Sequence, residues 1–187
     1  MKGRLLIVAL AAALAAPAGL RAEAGADDIL DKVINVPPPS AWRIDGLRDR
    51  PKVRTDSSVQ GGKALRVEIP GKGADPWAVS AANPVEKPVK AGDKLILAFW
   101  ARLEIGEDGA AAATLPHNGV QLAAAPYTAV FAGPVTIGPE WKMYEVRGKA
   151  DRDYAGGQLN VVLHLATAKQ VIDLGPVFLL DMGPATP

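Results

Sequence analysis

The chain has 187 residues, 21 Lys and Arg against 20 Asp and Glu, a formal charge of +1, and no cysteine. So even a balance gives it no electrostatic reason to seek nucleic acid or an anionic membrane surface, and the lack of cysteine excludes a disulfide scaffold and a lipid-carrying thiol. Stability must come from packing, and the length fits one domain with a core of ordinary size.

Lys2 and Arg4 precede an apolar run from Leu5 to Ala16, a Pro17 break and the small-x-small triplet Ala22-Glu23-Ala24. This is the pattern of a secretory signal peptide. The apolar run is shorter than the ~18–20 residues a membrane-spanning helix needs, and no later segment is long enough either. Residues 1–24 are therefore expected to be removed, with cleavage after Ala22 as the competing site. Residues 25–187 then form a single near-neutral domain, periplasmic or extracellular, with no membrane contact once the signal is gone.

Residues 26–36 fit two readings. Ile29, Leu30, Val33 and Ile34 have helical spacing, while Val33 to Val36 is also strand-like. Pro37-Pro38-Pro39 ends the segment either way. Strands are expected next at 52–56 and 64–69, where Leu65, Val67 and Ile69 fall on one face and Arg66 and Glu68 on the other. Further strands are expected at 77–82, 94–103, 111–115, 120–124, 141–147, 159–166, 170–174 and 177–181. In the 94–103 strand, Leu95, Leu97, Phe99, Ala101 and Leu103 make a second apolar row. In the 159–166 strand, Leu159, Val161, Leu163 and Leu165 make a third, with Asn160, Val162 and His164 opposite. Clusters such as Pro70-Gly71-Lys72-Gly73, Ala91-Gly92-Asp93 and Gly156-Gly157 supply turns between them. Pro116-His117-Asn118-Gly119 also reads as a turn. About nine short strands with three period-2 rows predict an all-β antiparallel β-sandwich of jelly-roll type.

The succession Gly62-Lys63-Ala64-Leu65-Arg66-Val67, Pro76-Trp77-Ala78-Val79, Lys90-Ala91-Gly92-Asp93-Lys94-Leu95-Ile96-Leu97-Ala98-Phe99-Trp100-Ala101-Arg102, Glu140-Trp141-Lys142-Met143-Tyr144, Leu163-His164-Leu165 and Ile172-Asp173-Leu174-Gly175-Pro176-Val177 resembles the β-sandwich carbohydrate-binding modules attached to bacterial endoglucanases and xylanases. The resemblance spans about residues 52–183. It implies a concave sheet that binds a glucan or xylan chain and a catalytic domain elsewhere on the polypeptide; this chain leaves no room for one, so the module is expected to stand alone or to work beside a separate glycoside hydrolase. It also implies a structural calcium held by an acidic residue near the amino end and an aspartate in the last strand. Asp173 or Asp181 would be that aspartate, and no acidic partner is evident after Val33-Ile34-Asn35. No other cofactor is expected.

Sugar rings present an apolar face and a rim of hydroxyls, so a binding site needs an exposed aromatic flanked by amides and other paired donors and acceptors. Trp77 follows a Gly/Pro/Asp loop and is the leading platform, the alternative being a core residue packed with Val79 and Ala81. His164 and Asn160 stand on the polar face of their strand, where hydrogen bonding to sugar competes with simple solvation. Gln121 and Tyr127 flank Ala123-Ala124-Ala125, small residues that leave open space over a sheet. Trp100 would line the cleft or pack under a loop, Trp141 and Tyr144 would anchor a strand to the core, and Trp42 would seal the sandwich edge. His117, in its expected turn, shows no ligand spacing with His164, so no metal site is assigned.

Catalysis is not indicated. Ser40, Ser57, Ser58 and Ser80 lie outside any Gly-x-Ser-x-Gly elbow. Glu107-Asp108 and Asp151 with Asp153 fall in turns, whereas a glycosidase needs two carboxylates facing one cleft. The expectation is a polysaccharide-binding module. A glycan-active hydrolase, or an accessory protein of one, is a second reading, and an envelope interaction protein without sugar binding is a third.

Overall fold

The computed structural model describes residues 26–184; the expected signal peptide lies outside the described residues. The chain begins with a short helix, α1 (Ala26–Asp31), and continues through ten strands: β1 (Arg43–Asp45), β2 (Val53–Thr55), β3 (Lys63–Ile69), β4 (Ser80–Val85), β5 (Asp93–Ile105), β6 (Ala113–Leu122), β7 (Ala129–Ile137), β8 (Lys142–Lys149), β9 (Leu159–His164) and β10 (Gln170–Pro184). They form two five-stranded sheets, β1-β4-β9-β6-β7 and β2-β3-β10-β5-β8, with antiparallel pairing throughout. The expected β-sandwich is what forms.

All three apolar rows point into one core. Leu65, Val67 and Ile69 of β3, the row from Leu95 to Leu103 of β5, and Leu159, Val161, Leu163 and Leu165 in and just after β9 meet between the sheets. Ile172, Leu174, Val177 and Leu179 of β10 join them there. Phe99 is completely buried in this layer. Period-2 burial favours this arrangement, because each strand can hide only one face against the opposing sheet. Trp42 is buried at the edge and donates its indole N–H to the Gly175 carbonyl at 3.0 Å, sealing the sandwich as expected.

Both readings of residues 26–36 hold in part. The helix ends at Asp31, and Val33 and Asn35 then bridge to Leu180 and Val85. Ile29 and Val33 pack with Ile96, Phe178 and Leu180, a small cluster separate from the main core that would otherwise be wet. Asn35 ties the two sheets together: its amide donates to Asn83 of β4 (2.8 Å) and to the Val177 carbonyl of β10 (3.2 Å), and its carbonyl accepts the Leu179 N–H (2.6 Å). Burial of such an amide is tolerated because its donors and acceptor all find partners.

Several expected boundaries change. The pairs 111–115 with 120–124 and 170–174 with 177–181 are each one long strand, β6 and β10, carrying irregular registers at Leu115/Asn118 and Leu174/Val177. Trp77 is not in a strand; it sits in a 3-10 turn, Pro76–Ala78, ahead of β4. Strands β1 and β7 are additional to those expected. Three residues are too few to show a period in β1, and β7 reads Ala-Val-Phe-Ala-Gly-Pro-Val-Thr-Ile, in which Gly133 and Pro134 look like a break.

Candidate functional site

The outer face of the first sheet carries a groove of about 980 Å³, larger than the clefts of about 460 and 600 Å³ beside Pro70. It crosses all five strands, from Arg43 and Asp45 on β1, over Ser80 and Ala82 on β4 and Asn160, Val162 and His164 on β9, to Gln121 on β6 and Ala129 on β7. Inter-strand steps from β1 to β7 give it a span of roughly 19 Å. Its middle is low because the residues there are small: Ala82, Val162 and Gly119 are neighbours across β4, β9 and β6.

Trp77 rises from one wall. The Pro76 ring presets the first position of its turn, Ala78 N–H donates to the Asp75 carbonyl at 3.0 Å, and Ala166 N–H donates to the Pro76 carbonyl at 3.0 Å. The turn is thereby fastened to the chain just past β9, and the indole is left 59% exposed. Gly46 holds the other side. It has φ +87°, and a Cβ there would stand 1.8 Å from the Ala78 carbonyl oxygen, so only glycine lets the end of β1 pass this close to the turn. The core alternative for Trp77 is excluded; Val79 and Ala81 go inward without it.

Tyr127 also lines the groove, 57% exposed, in the loop joining β6 and β7. Its φ is +56°, uncommon for a residue with a bulky side chain. Its N–H donates to the Ala124 carbonyl (2.9 Å), and Leu122 N–H to the Thr128 carbonyl (3.0 Å), which closes the loop and presents the ring. Residues held in this region concentrate at ligand clamps. Gln121 and Asn160 face each other in register on β6 and β9, on the same groove floor. The five residues expected to bind, Trp77, Gln121, Tyr127, Asn160 and His164, thus share one groove.

Sequence reasoning misses His117. Leu115 pairs with Val135 and Asn118 with Gly133, so Pro116 and His117 together oppose only Pro134. This is a β-bulge, not a turn. Asn118, wholly buried, holds it by donating to the carbonyls of Leu115 (2.9 Å) and Gly133 (3.0 Å). The bulge aims His117 at His164, and the two imidazoles stack with centroids 4.3 Å apart and planes 11° from parallel. Trp77 meets His164 edge-on at 5.9 Å. His164 is buried rather than solvated, and burial, followed by the neighbouring His117, pushes its pKa down from 6.5 to about 4. Burial lowers that of His117 too. A Pro-x-Asn-Gly string looks the same for a turn and for a bulge, which is why the sequence concealed this pair.

The other aromatics lie elsewhere. Tyr144 packs on Phe99 at 5.9 Å and its hydroxyl accepts the Gly138 N–H at 3.2 Å, an anchor as expected. Trp141 instead lies under the Arg102 guanidinium at 5.2 Å, and Trp100 donates its indole N–H to Gln60 at 2.8 Å. Trp100 therefore packs under a loop and does not line the groove.

At Asp173 the calcium implied by the resemblance does not fit. Asp173, wholly buried on β10, is directly opposite Arg66 of β3 and Arg102 of β5. Its carboxylate receives Arg66 (2.9 Å), Arg102 (2.9 Å) and Arg54 of β2 (2.6 Å). Burial alone would raise its pKa, but hydrogen bonds from Arg66, Arg54 and Arg102 hold it below 3.8. Three guanidinium groups already surround the carboxylate that a cation would need. Asp181 has Asp93 beside it, and burial, with that neighbour, pushes its pKa up. Among the described residues no group of three His, Cys, Asp or Glu side chains gathers to hold a metal ion.

Compared with solved structures, the chain matches the second N-terminal cellulose-binding domain of β-1,4-glucanase C from Cellulomonas fimi over 84% of its own length and 99% of that domain (TM-score 0.57, 19% identity). The fold is that of the β-sandwich carbohydrate-binding modules. A xylan-binding domain from CBM 22 matches over 83% of this chain and 99% of its own (TM-score 0.56, 14% identity). The CBM22-1 and GH10 modules of Clostridium thermocellum endo-1,4-β-D-xylanase 10B, complexed with xylohexaose, match over 80% of this chain and 28% of that one (TM-score 0.53, 11% identity). No protein-family model and no curated protein matches the chain.

Proposed function

We propose that the chain is a secreted, non-catalytic module that binds a polysaccharide of the glucan or xylan kind along this groove. The observation that carries the reading is the presence of two exposed aromatics, Trp77 and Tyr127, in a groove floored by small residues and furnished with Gln121, Asn160 and His164. Each ring offers an apolar face to a pyranose, and the amides and imidazole offer donors and acceptors to its hydroxyls. Tryptophan and tyrosine presented on closed turns lose little freedom on binding, which favours affinity. Similarity of fold to cellulose- and xylan-binding domains supports the same ligand class.

A hydrolase is the less favoured reading. The groove lining holds one carboxylate, Asp45, which is paired with Arg43 at 3.0 Å, whereas retaining and inverting glycosidases use two. An interaction module would present a flat apolar patch; the exposed large apolar side chains Leu30, Val53, Ile105 and Met182 are scattered over separate elements. The module works in the periplasm or outside the cell together with a glycoside hydrolase, and the charged start, short apolar run and Ala22-Glu23-Ala24 motif support its export. Among the described residues no helix is long and apolar enough to cross a membrane.

Affinity electrophoresis against soluble β-glucans, xylans and pectins tests the ligand class: retardation by at least one neutral glucan or xylan without release of reducing sugar is expected. Reducing sugar released by wild type and lost on changing Asp45 would establish a hydrolase instead. Export is checked by mass spectrometry of protein from the native host, which should begin at Gly25, or at Glu23 if the competing site is cut; an intact Met1 contradicts it.

A further inference from the structure

His117 and His164 are the two histidines of the chain, and the fold brings them face to face in the groove although they lie on different strands, one of them in a β-bulge. We propose that this stacked pair is a sugar-contacting subsite that works only with both imidazoles neutral, so that the module holds its glycan near neutrality and releases it on acidification. The inference rests on the groove being the glycan site. It adds His117 to the ligand-contacting residues and a proton to the binding equilibrium.

Neutral imidazoles carry one donor and one acceptor nitrogen each, the complement that sugar hydroxyls require; imidazolium offers donors only. Two near-parallel rings at 4.3 Å disfavour a charge on both. The surroundings supply no free counter-ion. β4 (Ser80–Val85), β6 (Ala113–Leu122) and β9 (Leu159–His164) contain no Asp, Glu, Lys or Arg. The charged residues lining the groove are Arg43 and Asp45 of β1, already paired with each other, and the remaining titratable group is Tyr127. The Nε2 of His117 is buried with no protein partner, so a proton placed there would be a donor without an acceptor. Acid must therefore part the rings. Because Trp77 leans edge-on against His164, parting them displaces the platform as well.

Two measurements on the chain test this together. Imidazole NMR should show both histidines titrating below 6.5, His164 near 4, and His117→Asn should move His164 upward because its cationic neighbour is gone. Glycan affinity, measured by calorimetry with a soluble β-glucan and a soluble xylan, should be constant from pH 8 to 7. Below the histidine pKa values it should fall by about tenfold per pH unit for each proton that must be lost on binding, in a protein whose near-ultraviolet circular dichroism still reports the fold. The variant His117→Asn, His164→Asn should bind more weakly at neutral pH and lose the acid dependence. Affinity that persists unchanged to pH 3.5, or a histidine titrating at or above 6.5, overturns the gate while leaving the glycan reading intact. Absence of glycan binding at every pH overturns both.

Discussion

Tyr127 shows how a single residue trades stability for presentation. A non-glycine residue at φ +56° is strained, so Tyr127→Gly should leave stability unchanged or raise it by up to about 1 kcal/mol while glycan affinity falls. Denaturant midpoints and calorimetry on the same variant separate the two effects; a joint loss would mean that the ring is packed for the fold. Asp173 is the opposite case, buried and serving three arginines at once. Asp173→Ala should cost about 1–3 kcal/mol in urea unfolding, because Arg54, Arg66 and Arg102 lose the buried carboxylate they share while Asp56 and Glu104 still pair with them. A loss below about 1 kcal/mol would mean that solvent satisfies the arginines and that the aspartate is dispensable.

At the scale of elements, the groove depends on how β6 is built. Gly119 lies against β7 so closely that a Cβ would stand 2.0 Å from the Phe131 carbonyl oxygen. Gly119→Ala must separate the two strands, and a destabilisation of about 1–3 kcal/mol is expected by urea titration, with weakened glycan binding because the groove floor moves. Unchanged stability would contradict this packing. The same strand marks the limit of what could be read beforehand. Long alternating segments such as β3, β5 and β9 announced themselves, since a period of two is visible wherever one face is apolar and the other polar. So did the polar residues of β9, Asn160 and His164. What stayed hidden was local: Pro116 and His117 bulge out where a turn was expected, and Trp77, expected as an outward platform, is carried by a 3-10 turn where a strand was expected. Glycines, prolines and asparagines signal an irregularity, but its kind is decided by the partner strand, which lies elsewhere in the chain.

For the whole molecule, pH and ligand are linked through the groove. His164 takes its proton near 4 in the folded chain and near 6.5 when unfolded, so between these values the unfolded chain binds more protons and stability rises with pH. The melting temperature should accordingly fall as pH drops from 6.5 toward about 4, and His164→Asn should flatten that slope; an equal slope in the variant would assign it to other groups. Asp173 acts lower: its depressed pKa contributes stability that is complete above 3.8 and is lost as pH falls further. The fold, the two exposed aromatics and the polar residues between them converge on one central claim, that the groove grips a polysaccharide through Trp77. Calorimetric titration of wild type and Trp77→Ala at about pH 7.5, where both imidazoles are neutral, with the glycan that most retards the wild type, tests it most directly. Saturable binding by wild type and no detectable binding by the variant are expected, and the variant's unfolding free energy should stay within about 0.5 kcal/mol of wild type because the indole is mostly exposed. Equal binding by both proteins, or a variant that fails to fold, would contradict it.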